Sequence, residues 1–155
     1  MTSKRVRVEG LRDLDRALGE LPKRTGKAVL RRTLMRAAAP IAATAQALAP
    51  VDEGGLKRSI HAGTRLSRRQ ARTMRGATRS TAEVYVGPGP SSKSITQEFG
   101  AEHHGPQPYM RPAWDRERFR ALQIIATTLG AEIDKAAKRI AQRARREAAK
   151  MRAGG

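Results

Sequence analysis

Hydrophobic positions change period several times along this chain, and each change marks an element. Val6 and Val8 alternate with charged neighbours between residues 4 and 9, which predicts a short, half-buried strand. From Leu11 the spacing turns helical: Leu11, Leu14, Leu18 and Leu21 fall at i, i+3, i+7 and i+10, one stripe of an amphipathic helix that Pro22 closes. A second helix is predicted from Lys23 to Ala49, burying Leu30, Leu34, Ala37 or Ala38, Ile41, Ala45 and Leu48. Pro40 lies inside it and removes a backbone hydrogen bond, so a kink is expected, while the alanines around it let a neighbour approach closely. Pro50 stops this helix, and Asp52, Gly54 and Gly55 supply the turn that reverses the chain.

Residues 56–62 then lead into a strand, and residues 81–87 alternate cleanly, with Ala82, Val84 and Val86 on one face. Between these strands lie Arg65, Arg68, Arg69, Arg72, Arg75 and Arg79 with no acidic residue among them. A like-charge block of this kind is solvated, which places the arginines at the tip, about 65–80, of a long basic hairpin. Gly87 to Ser92 reads as a loop; Ile95 and Phe99, behind Ser94 as N-cap, read as one helical turn ended by Gly100; Ala101 to Pro108 form a second loop. Pro112 suits the start of a last helix that runs to about residue 150. Its stripe is Phe119, Leu122, Ile125 or Ala126, Leu129, Ile133, Ala136 or Ala137, Ile140 and Ala144, with a bend or break expected at Gly130. At about 1.5 Å per residue this helix exceeds roughly 50 Å, so part of it is expected to project or to pack on another subunit. Residues 151–155 are expected to be a disordered tail.

Composition bounds the picture. The chain has 155 residues, enough for one domain with its own core, here residues 1–150. Only 3% of it is aromatic, yet Phe99, Tyr109 and Trp114 fall close together, which marks that stretch as a structural hub. Trp114, following a helix-opening proline, is expected to face the core in preference to a neighbouring subunit. A formal net charge of +18 calls for a negatively charged partner or a crowded assembly. It has two concentrations, the hairpin arginines and a basic end carrying Lys135, Lys138, Arg139, Arg143, Arg145, Arg146, Lys150 and Arg152 against Glu147. The absence of cysteine excludes disulfides and Cys-based metal sites. No apolar segment follows the basic start as a secretory signal would require, and the apolar run from Ala37 to Pro50 falls short of the roughly 20 residues a bilayer needs. No membrane association is expected.

Candidates for chemistry are few. His103 and His104 beside Glu102, with the isolated His61, are the only groups suited to metal or acid-base work, but adjacent histidines in a loop point apart and no third ligand can be named. Asp13 and Asp15 face different sides of their helix, and Glu98 and Glu102 flank a glycine. Gly87-Pro88-Gly89-Pro90 lacks the lysine and the following helix of a phosphate loop. No catalytic, cofactor-binding or metal residue is assigned, and the chain is read as not an enzyme. Arginines can neutralise phosphates without reading sequence, but there is no aromatic platform among them for single strands and no helix-turn-helix or zinc pattern. The hairpin arginines therefore face either DNA phosphates or an acidic protein surface.

At this point the order of motifs carries a resemblance. Gly10-Leu11-Arg12-Asp13-Leu14, the alanine-proline helix, Ala49-Pro50-Val51-Asp52-Glu53-Gly54, Val84-Tyr85-Val86-Gly87-Pro88, Glu98-Phe99-Gly100 and Gln107-Pro108-Tyr109-Met110-Arg111-Pro112-Ala113-Trp114 together resemble the small neck or tail-completion proteins at the head-tail junction of lambda-like long-tailed phages and prophages. The likeness runs from about Val6 to about Ala137. It departs at Glu53 and the extra Gly55, at Ser94-Ile95-Thr96, where the family has an aromatic-alanine pair, and at Tyr109, where it has Phe. What the resemblance implies is a non-enzymatic virion protein without cofactors. It would assemble in the host cytoplasm into a ring, taken as a hexamer, between head-closure and tail-terminator or tail-tube components around the DNA path. Asp52, Gly54 and Gly55 would form a geometric turn, and Phe99, Tyr109, Arg111 and Trp114 a core or subunit-interface hub. The rival reading is an architectural, sequence-independent DNA-binding protein. The expected fold is α+β: two N-terminal helices, a small antiparallel sheet with a long basic hairpin, and a long C-terminal helix.

Overall fold

A computed structural model of the chain describes residues 10–51, 54–73, 82–90 and 92–153. The strand expected at residues 4–9, together with Asp52, Arg75 and Arg79, lies outside them. The architecture is the expected α+β arrangement, dominated by helix: α1 (Leu11–Gly19), α2 (Lys23–Leu48), α3 (Gly55–Ser59), β1 (His61–Gly63), α4 (Arg68–Thr73), β2 (Tyr85–Gly87), α5 (Ser92–Phe99) and α6 (Met110–Ala153). β1 and β2 pair antiparallel, with Ala62 opposite Val86. They are shorter than the alternation predicts, and residues 55–59, expected to lead straight into a strand, form the short helix α3 instead. The connection between the strands is not a plain tip either, because α4 carries Arg68, Arg69 and Arg72 on a helical turn.

The molecule is built on the antiparallel pairing of α2 with α6. Val29, Thr33, Ala37, Ile41 and Ala45 are buried along one i, i+4 row of α2, and Ala113, Ala121, Leu129 and Ile133 are buried on α6. Small residues in these rows let the two backbones come together and align ridge against groove. Of the predicted stripes, Ala37, Ala38, Ile41 and Ala45 on α2 and Leu129, Ile133 and Ala136 on α6 are buried, while Leu30, Leu34 and Leu48 are half-buried and Phe119 and Ala144 are exposed. Three apolar clusters run along the seam. Leu21, Val29, Leu129, Ile133 and Ala136 close one end with α1 packed on them; Ala37, Ile41 and Ala121 form the middle under Val86; Ala45, Ala49, Ile60, Tyr109 and Ala113 form the other end.

Polar contacts fix the register. Glu132, buried on α6, accepts a hydrogen bond from Arg32 Nε at 2.9 Å and pairs with Arg36 at 3.3 Å, both on α2. Thr44 Oγ1 donates to Glu117 at 2.8 Å, and Gln46 Nε2 donates to the Ile60 carbonyl at 2.7 Å. The Arg32 hydrogen bond, opposed by burial and joined by the charges of Arg32, Arg36 and Lys135, holds the Glu132 carboxyl below the usual carboxylate range.

Pro40, where a kink is expected, lies within one continuous α2, as expected of a kink that does not divide the helix. At Gly130 α6 does not break, and its helix runs through Met151 to Ala153 where a disordered tail was expected. At 44 residues α6 is about 66 Å long. Residues 141–153 are exposed throughout.

Candidate assembly surfaces

The aromatic-proline stretch is held together by one carboxylate. Gly100, at φ 83°, ends α5 in the left-handed conformation that glycine adopts freely, and its amide donates to the Thr96 carbonyl at 2.8 Å. A Cβ there would stand 3.0 Å from the His104 carbonyl oxygen and 3.1 Å from Pro106, so the chain can turn back only with glycine at this point. Residues 101–108 then return alongside α5, with Gln107 N donating to the Gln97 carbonyl at 2.7 Å. This brings the start of α6 against the Glu98 side chain. Glu98 accepts from the amides of Tyr109 at 2.8 Å, Met110 at 2.9 Å and Arg111 at 3.1 Å, and from Arg111 Nε at 3.1 Å.

A helix of this length begins with unpaired N–H groups and a positive dipole end, and Glu98 answers both with one buried anion. Burial pushes its carboxyl up, but the three backbone donors and the Arg111 guanidinium outweigh this and hold it below the usual range. Tyr109 is 1% exposed; burial and the Glu98 charge push its phenol up to about 12. The role of Glu98 is the main thing the sequence reading missed.

The hub residues divide into a buried and an exposed set. Tyr109 fills the core as an anchor. Phe99 is 65% exposed and Trp114 53%, so the inward orientation expected for Trp114 is corrected. Ala113, one position earlier, takes the inward place against Ala45 and Ala49, where only a small side chain fits between the helices. Arg111 joins the two sets: it donates to the Glu98 carbonyl through Nη2 at 3.1 Å and lies 5.1 Å from the centre of the Phe99 ring.

Beside the hub runs an apolar groove of about 530 Å³. Leu34, Ala38 and Ile41 of α2 form one wall, Val84 and Val86 the floor towards the sheet, and Met110, Trp114, Phe119, Leu122 and Ile125 of α6 the other wall. Phe119 is 40% exposed, with Arg118 over its ring at 5.0 Å.

The remaining predicted residues are scattered. Arg65 and Arg68 are exposed, and Arg69 and Arg72 follow on α4. Gly54, at φ 72°, is the N-cap of α3 and Gly55 its first residue, so the turn serves to start a helix. Ser94, expected as an N-cap, is buried inside α5. His103 is exposed, while His104 Nε2 meets Gln97 Oε1 at 3.1 Å. Among the described residues no three histidine or acidic side chains are grouped as a metal would need, and no helix is long and apolar enough to cross a membrane.

Compared with known proteins, the chain matches a family model described as "Bacteriophage HK97-gp10, putative tail-component" over residues 12–100. The match extends from α1 to the glycine that ends α5, and α6 lies beyond it. No curated protein and no solved structure matches the chain.

Proposed function

The chain belongs to the HK97-gp10-like family of bacteriophage tail components, and on that premise we propose that it is a non-enzymatic ring-forming protein of the head-tail junction. Copies meet through the groove and the exposed hub, joining head-closure and tail components around the DNA path. One observation carries this reading: Trp114 and Phe119 stand open beside an apolar groove, with Phe99 and Ile95 exposed on α5. An apolar groove edged by open aromatic side chains marks a protein contact. A groove on one face and projecting side chains on another element suit a head-to-tail contact, the type that closes into rings.

Sedimentation and negative-stain imaging of the purified chain, alone and with head-closure or tail-tube components, test the ring. Closed rings, taken as sixfold, are expected, and Trp114→Arg is expected to abolish them while leaving the melting temperature within a few degrees. A chain that stays monomeric with every such component would overturn the proposal. The rival architectural role on free DNA predicts tight duplex binding by the isolated chain at physiological salt.

A further inference from the structure

The far end of the α2–α6 pairing holds a second surface, most of it on the part of α6 beyond the matched region. A cleft of about 360 Å³ lies between the first turns of α2 and the outer part of α6, where Arg32, Arg139, Arg143 and Arg146 converge with Thr25 and Gln142. None of the residues lining it is a carboxylate. Glu132 sits behind it, already engaged by Arg32 and Arg36, and Glu147 borders the adjoining hollow with Arg143, Arg146 and Lys150.

On a helix, Arg139, Arg143, Arg146 and Lys150 fall at i, i+4, i+7 and i+11, a straight stripe about 16 Å long. Its outer residues are exposed, and among the described residues nothing covers them. Cations gathered this closely repel one another, and an incoming anion relieves that further than the single Glu147 beside them. A single small anion would occupy the cleft and leave the stripe unmatched. A regularly charged polymer matches both, since duplex DNA carries a phosphate every 3.4 Å or so of axis on each strand.

We propose that this stripe, with the Arg32 cleft at its base, is a sequence-independent contact for the phosphates of double-stranded DNA. It rests on the chain standing beside the DNA path, the position proposed above. The stripe suits this task because it is continuous along one helix. Each phosphate neutralised releases counterions, giving a slope of about −0.9 in log K against log salt. Four contacts therefore predict a slope near −3.6, with weak binding at physiological salt and measurable binding at about 50 mM.

The test is fluorescence anisotropy of a labelled 20-base-pair duplex of arbitrary sequence with the full chain over a salt series. R139Q/R143Q/R146Q is expected to flatten the slope by about 2.7 and weaken low-salt binding at least tenfold. Glutamine keeps helix propensity, so circular dichroism and melting temperature should be unchanged; R139K/R143K/R146K should retain the slope. R65Q/R68Q should leave it within about one contact. Three results would overturn the proposal: an unaltered slope in the α6 variant, loss confined to R65Q/R68Q, or no duplex binding at low salt with the stripe binding polyglutamate instead. Sedimentation of the wild-type chain separates this outcome from failure of the ring: wild-type rings that form without low-salt duplex binding reject the stripe alone.

Discussion

Glu98 concentrates more structure in one side chain than any other residue here. Four donors converge on its carboxylate, three of them backbone amides at the start of α6. Hydrogen bonds to a charged group are each worth about 1.5–3 kcal/mol, and their loss is not additive. Glu98→Gln is expected to cost about 2 kcal/mol and Glu98→Ala about 3 or more, as measured by urea unfolding. A value within about 0.5 kcal/mol of wild type for Glu98→Ala would mean that water replaces the cap without penalty. This role could not be read from sequence, because the partners stand eleven to thirteen residues away across a loop whose path depends on Gly100. Glu132 was equally hidden, with Arg32 one hundred positions distant. Tyr109 and Trp114 were singled out as bulky residues, but which of them points inward is decided by the alanine surface of α2.

The helices were the legible part at the level of elements. Four of them follow from the period of leucine and isoleucine, and the family resemblance was carried by the turn and hub motifs that join them. What failed was the face of the first half of α2. Ala37, Ile41 and Ala45 are buried as the stripe predicts, but before them Val29 and Thr33 take the buried places in preference to Leu30 and Leu34. The strands were overestimated because alternation in Ala82, Val84 and Val86 continues beyond the three residues that pair. Of the bend or break that propensity suggests at Gly130, the break does not occur. An added Cβ there would lie 3.5 Å from Leu14 Cδ2, an ordinary contact. Gly130→Ala is therefore expected to raise stability by about 0.5–1 kcal/mol, whereas Gly100→Ala, at φ 83° and with backbone 3.0 Å away, should lower it by more than that. Thermal melts of the two variants moving in the same direction would refute the distinction.

Across the whole molecule, the two buried carboxylates set an acid limit and Tyr109 an alkaline one. Glu98 and Glu132 are held below the usual carboxylate range in the fold, so their contribution is present above the unfolded value of about 4.3 and is lost as pH falls through the folded values. Tyr109 is raised to about 12, so its contribution is present below the unfolded value of about 10 and is lost as pH rises towards 12. Melting temperature against pH should show a plateau that falls at both ends. Glu132→Gln should lower the plateau and blunt the acid fall, and Tyr109→Phe should blunt the alkaline one. An acid limb identical in wild type and Glu132→Gln would show that the α2–α6 ion pairs do not titrate with unfolding.

The length of α6 has a mechanical side. Its inner end is fixed at Glu98 and its middle at Glu132 and the buried Ile133 and Ala136, leaving the exposed residues 141–153 as a cantilever of about 20 Å. Tilting such an arm by about 15° where it leaves the core sweeps its tip through roughly 5 Å, comparable to the rise of one helical turn. Small rotations where α2 grips α6 are thereby geared up into displacements large enough to carry the tip from one seat to the next.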